Sequence, residues 1–145
     1  MNLSNNFTLE QLTASTIALK KGIDNVPNDE QVANLTELAQ VLERVQSLLG
    51  NALYIDSAFR SPKLNATVGG SVTSAHLEGY AADFVCPGYG DPKAVCEAIR
   101  DSEISFDQLI QEGTWVHLSV DPRMRREVLT ASFSNGKASY TTGLT

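Results

Sequence analysis

The sequence predicts a single α+β domain in which helices back a small antiparallel or mixed sheet. Three observations carry that expectation. A long amphipathic pattern runs between Asn28 and Gly50, β-like stretches crowd the second half, and Asn135-Gly136 sits between two runs with strand character. Helices early and strands late are the signature of α+β rather than of alternating βαβ units. At 145 residues the chain is most economically one domain, spanning 1–145, with a hydrophobic core that needs no cysteine staples.

Taken in order, Thr8 followed by Gln11 resembles a capping box, with Phe7 and Leu12 spaced as a hydrophobic staple, so a short helix is expected over about 9–14. Residues 15–27, ending in Asn25-Val26-Pro27, read as a connecting segment. Asn28 then caps the longest helix, whose first turn holds Asp29 and Glu30 where the helix dipole favours them. Val32, Leu35, Ala39, Leu42, Val45 and Leu49 form one apolar stripe, and Gly50 ends it. That helix reads as the spine of the core, without chemistry of its own. Leu53 to Arg60 is β-like, Lys63 to Val68 suits a short helix, and Gly69-Gly70 opens a loop. Ala81 to Cys86 is a second strand. Asp91 as cap and Pro92 at the first helical position start a helix to about Arg100. Phe106 to Gln111 and Trp115 to Val120 read as strands joined through Glu112-Gly113-Thr114. Leu129 to Ser134 and Ala138 to Thr142 form the final hairpin.

Composition excludes several classes. A net charge of −6 and a pI near 4.8 argue against nucleic-acid binding, and the cluster Arg123-Met124-Arg125-Arg126 is too short to reverse that. No apolar run approaches the roughly 20 residues of a membrane span, and the first residues lack a secretory signal. The expectation is a soluble monomer made in the cytoplasm, which something else must release or carry if it acts outside the membrane. Cys86 and Cys96 are the only cysteines and are expected to be reduced and buried.

The chain has two histidines. His76 lies in Ser74-Ala75-His76-Leu77-Glu78-Gly79, seven positions before Asp83, and His117 lies in Trp115-Val116-His117-Leu118-Ser119. Two imidazoles and a carboxylate make a three-ligand set that leaves a tetrahedral position open on zinc. The apolar neighbours of His117 make an unpartnered imidazole costly there. Spacing alone leaves a packing role for either histidine open. Arg60, near the end of a β-like stretch, suits a negatively charged substrate, against the alternative of a surface ion pair.

Together, Arg60-Ser61-Pro62, Asn65, Gly69-Gly70, Ser74-Ala75-His76, Gly79, Ala82-Asp83 and Trp115-Val116-His117-Leu118-Ser119 resemble the zinc D-Ala-D-Ala carboxypeptidase family. That family belongs to the hedgehog/DD-peptidase superfamily, with phage endolysins and bacterial cell-wall peptidases among its members. The resemblance runs from about Phe7 to Val120. It implies His76, Asp83 and His117 as zinc ligands, with the metal on the face of a small sheet. It also implies hydrolysis of a peptide bond in peptidoglycan stem peptides, of D-Ala-D-Ala or L-alanyl-D-glutamate type, by a phage or prophage cell-wall hydrolase. Arg60 then binds substrate carboxylate or steadies the oxyanion.

Several branches of the family place an acid three positions before the last zinc histidine. Here that position is Thr114, so Glu112 is the candidate base and Asp107 the second choice. Another branch has a histidine where Trp115 stands. Ser74 and Trp115 are candidate substrate contacts, Ser119 a candidate support for His117, and Tyr140 reads as packing in the last hairpin. The absent acid at 114 also supports an alternative: a non-catalytic zinc-containing module of the same fold that binds peptidoglycan, for example in a virion or tail.

Overall fold

A computed structural model describes residues Met1–Thr145. Helix α1 (Leu9–Thr13) is held by the capping box, with the Thr8 hydroxyl accepting from Gln11 N at 3.1 Å and the Gln11 side chain accepting from Thr8 N at 3.3 Å. The 15–27 segment differs from its expectation, because Thr16–Lys21 forms a helix, α2. Ser15 caps its start, and Gly22 at φ +62 closes its end. Ala18 is its one buried residue, so the apolar stripe that advertises a helix is missing there.

Helix α3 (Asp29–Leu49) runs from the Asn28 cap to Gly50 and buries Leu35, Leu38, Ala39, Leu42, Val45 and Leu49. Helix α5 (Pro92–Arg100) begins as expected at the Asp91 cap, whereas short α4 (Pro62–Thr67) starts one residue before its expected Lys63, because Ser61 caps it and Pro62 takes the first turn. The strands are β1 (Tyr54–Ser57), β2 (Ala81–Val85), β3 (Gln108–Gln111), β4 (Val116–Ser119), β5 (Glu127–Ser134) and β6 (Lys137–Thr142). They form one mixed six-stranded sheet in the order β1-β2-β4-β3-β5-β6. Every pair is antiparallel except β3 with β5.

The parallel pair requires the chain to cross the end of β3 between β4 and β5. Asp107 fixes that crossing. Its carboxylate accepts from Arg125 N at 3.0 Å and from the Arg125 guanidinium at 2.8 and 2.9 Å, and its carbonyl accepts from Glu127 N. Met124 and Arg126 adopt left-handed conformations in the crossing, at φ 41 and 54. Arg126 repays its share by donating to the carbonyls of Arg100, Ser102 and Ile104.

The two faces of the sheet differ. Ala82, Phe84, Leu109, Val116 and Leu118 enter a core shared with α1, α3 and α5. Cys86 and Cys96 are free and buried in that core, and burial pushes the Cys96 thiol up to about 12. Asp83 points away from Cys86, as the period of two along a strand requires. The opposite face, bearing Asp83, Ile110 and His117, forms the floor of a cleft.

Candidate active site

The strand register lays out the floor of the cleft. Asp83 lies opposite His117, His117 opposite Ile110, Ile110 beside Leu129, and Leu129 opposite Thr142. Side chains in such a row share one face. Two of the three candidate ligands therefore follow directly from register. The third, His76, comes from a 3₁₀ turn (Ala75–Glu78) immediately before β2.

That turn is fixed from several sides. Ser74 caps it, its hydroxyl accepting from His76 N at 3.2 Å. Gln31 and Asn34 of α3 donate to the carbonyls of Leu77 and Glu78, at 3.2 and 2.8 Å. Gly79 closes it at φ +79, where a Cβ would lie 2.8 Å from the Gln31 carbonyl oxygen. Only glycine suits both the conformation and the space. The spine helix therefore contributes to the site by holding it.

His76 is 2% exposed, and its Nδ1 lies 2.6 Å from the Ala58 carbonyl. A carbonyl can only accept, so Nδ1 carries the proton and Nε2 presents a lone pair. That lone pair meets Asp83 Oδ1 at 3.3 Å, and His117 Nδ1 reaches the same oxygen at 2.9 Å. Burial alone would raise the Asp83 carboxyl, but the hydrogen bond from His117 Nδ1 works to hold it below the usual carboxylate range. Burial lowers His76 in turn, so protonating that ring is unfavourable. A buried nitrogen lone pair facing an ionised carboxylate asks for a cation between them. One donor atom from each of His76, Asp83 and His117 lies within 4.8 Å of the others, and two neutral imidazoles with one carboxylate suit zinc. The Ala58 carbonyl supplies the hydrogen bond that fixes a metal-ligating histidine in one tautomer.

These residues line a cleft of about 640 Å³. A smaller hollow of about 350 Å³ beside Asn6, Glu43 and Asn51 gathers no comparable group of side chains. Arg60 enters the cleft after β1, its backbone N donating to His76 O at 3.1 Å and its guanidinium reaching the Ser74 hydroxyl at 3.5 Å. Its Nε is buried without a partner, while the side chain as a whole lines the cleft. Burial lowers the guanidinium below its ordinary value, and Asp83 and Glu112 offset only part of that shift. Asn25, in the segment read only as a connector, clamps this stretch by donating to Thr13 O and Phe59 O and accepting from Ser61 N.

Glu112 lies just past β3, its N donating to Trp115 O at 3.0 Å. That pairing sets it opposite Trp115 and, since it extends the β3–β4 register two residues beyond the Ile110–His117 pair, on the same face as the ligands. The turn at Gly113, φ +81, reverses the chain between them. Burial raises the Glu112 carboxyl, while His117 opposes and Asp83 reinforces the shift. The buried Trp115 indole N–H favours its ionised form without completing a hydrogen bond of normal geometry.

Other expectations change. Asp107, the second-choice base, is tied to Arg125, which holds its carboxyl below the usual value and leaves it poorly suited to taking a proton. Ser119 is fully buried and accepts from Gln108 N at 3.0 Å, so it pins β3 to β4 rather than supporting His117. Ser74 lies between Arg60 and the His76 turn. Tyr140, read as packing, instead lines the cleft: the Asn135-Gly136 turn sets it opposite Ala131, and the non-local β3–β5 pairing brings that face of the hairpin to the cleft.

No curated protein matches the chain. Residues 5–119 match the family model described as Peptidase M15, a stretch that includes Arg60, His76, Asp83, Glu112 and His117, and the chain therefore belongs to the M15 family of zinc metallopeptidases.

Proposed function

We propose that the protein hydrolyses a peptide bond in the stem peptides of peptidoglycan, as a D-Ala-D-Ala carboxypeptidase or an L-alanyl-D-glutamate endopeptidase. The observation that carries this reading is the convergence of three chemistries in one cleft: the His76-Asp83-His117 donor set, the raised carboxyl of Glu112 and the cleft-lining guanidinium of Arg60. His76, Asp83 and His117 hold zinc. When bound, zinc supplies Lewis acidity toward the scissile carbonyl and toward the attacking water. Glu112 accepts the proton of that water and returns it to the departing amine, a task its raised pKa suits. Arg60 binds a substrate carboxylate or the developing oxyanion through its fork of N–H donors. Ser74 positions Arg60, and Trp115 walls the cleft beside Glu112.

The biological setting we propose is a phage or prophage cell-wall hydrolase, supported by the likeness of the motifs around Arg60, His76 and His117 to those of phage endolysins. Glu112 stands in the cleft where the acid missing at 114 would be sought, which favours turnover over a binding module.

Digestion of purified peptidoglycan by zinc-loaded protein, with mass spectrometry of the fragments, tests this. Wild type is expected to release fragments of one bond type, whose masses name the bond, and His76→Ala to release none. A zinc-loaded wild type that binds peptidoglycan and cuts nothing would sink the enzymatic reading and leave the binding module.

A further inference from the structure

The family match ends at residue 119, but the cleft does not. Its outer wall is the β5–β6 hairpin. Leu129, Ala131 and Phe133 alternate along β5, opposite Thr142, Tyr140 and Ala138 of β6. Leu129 continues the row of Asp83 and His117, so this face of the hairpin is the cleft face. Phe133 and Tyr140 are large aromatics left 54% and 53% exposed. Phe133 lies against Trp115, ring centroids 6.2 Å apart. Tyr140 pairs with the small Ala131 and lines the same cleft as Glu112. Burial raises the phenol, with Glu112 and Asp83 adding to the shift, so it remains a donor.

We propose that this hairpin is the substrate-gripping wall of the cleft: the Tyr140 phenol donates a hydrogen bond to a backbone carbonyl of the bound peptide, and Phe133 on Trp115 forms a shelf for an aliphatic side chain. Arg60 approaches from the β1 edge of the sheet and the hairpin forms the β6 edge. A peptide whose carboxylate Arg60 holds crosses the ligand cluster and runs onto the hairpin. The assignment rests on the stem-peptide reading above.

Trp115 is the only tryptophan in the chain and reports occupancy of its own cleft. The test titrates the synthetic peptide L-Ala-γ-D-Glu-L-Lys-D-Ala-D-Ala into zinc-loaded Glu112→Gln protein, following Trp115 emission. Tyr140→Phe and Phe133→Ala are each added to that background, and each is also assayed for turnover of the peptide with Glu112 intact. Tyr140→Phe is expected to weaken binding about fivefold, and Phe133→Ala about tenfold. KM should rise by similar factors while kcat stays within about twofold. Unchanged Kd and KM in both variants, with wild type binding and cutting, would overturn the wall alone. A fall in kcat at constant KM would overturn it as a binding element. A wild type that neither binds nor cuts the peptide would overturn the stem-peptide reading and the wall with it.

Discussion

The two ends of the sheet are built to different standards. Around β1, β2 and β4, each functional side chain is over-determined. The His76 turn is held by Ser74, Gln31, Asn34 and Gly79, its ring by Ala58, and the Arg60 segment by Asn25. At the other end, all six residues of β6 are exposed, and the hairpin turns through Asn135 in a left-handed conformation. Binding a cation or reacting atom demands sub-ångström placement, which only redundant anchoring secures. Accommodating a peptide demands area and tolerance. Under the roles proposed above, the contrast would separate chemistry from selection within one continuous floor.

The largest effect expected at the anchored end is catalytic. Glu112→Gln should lower kcat by about 10²–10⁴-fold while zinc content, measured by elemental analysis, is unchanged. Activity close to wild type would remove Glu112 from the chemistry and blur the contrast. Next comes Gly79→Ala, which forces a side chain into φ +79 and onto the Gln31 carbonyl. It should destabilise by about 2–3 kcal/mol, seen as a lower thermal midpoint. A midpoint within a degree of wild type would mean that the His76 turn tolerates slack.

Asp107 tests the joint between the ends. Asp107→Asn should cost about 2 kcal/mol at neutral pH, read by urea denaturation. Because Arg125 depresses the Asp107 carboxyl in the folded state, the stabilisation is fully present above the ordinary aspartate value. It is lost as pH falls through the lower, folded value. The wild-type advantage over Asp107→Asn should therefore shrink only in acid, below about pH 4. The smallest effect belongs to the hairpin: Phe133→Ala should change global stability by less than about 0.5 kcal/mol. A larger loss would show that the exposed wall is part of the core after all.

Local chemistry explains what was legible in the sequence. Thr8, Asn28 and Asp91 act as caps within a few residues of what they cap, and the α3 stripe and the Asn135-Gly136 turn are equally local. Helix α2 carried its cap signals, Ser15 and Gly22, but lacked an apolar face to make them legible. The donor set was legible as residue types, since the chain offers only two histidines. Distance in sequence hid the rest. Asn25 reaches Phe59 and Ser61, Gln31 and Asn34 reach Leu77 and Glu78, Asp107 reaches Arg125, and Tyr140 reaches the cleft because β5 pairs with distant β3. None of these partnerships leaves a periodic trace.

The hydrogen bond from His76 to Ala58 bears on how the protein can be handled. A ring locked by a backbone carbonyl and 2% exposed cannot swing aside when the cation leaves. The apo protein is thus expected to keep its fold, unlike domains whose folding depends on metal. Chelation should be a reversible edit rather than a denaturation. Cobalt(II) can then be exchanged into the folded chain, giving the spectroscopically silent zinc centre a visible absorption band that responds to whatever enters the cleft.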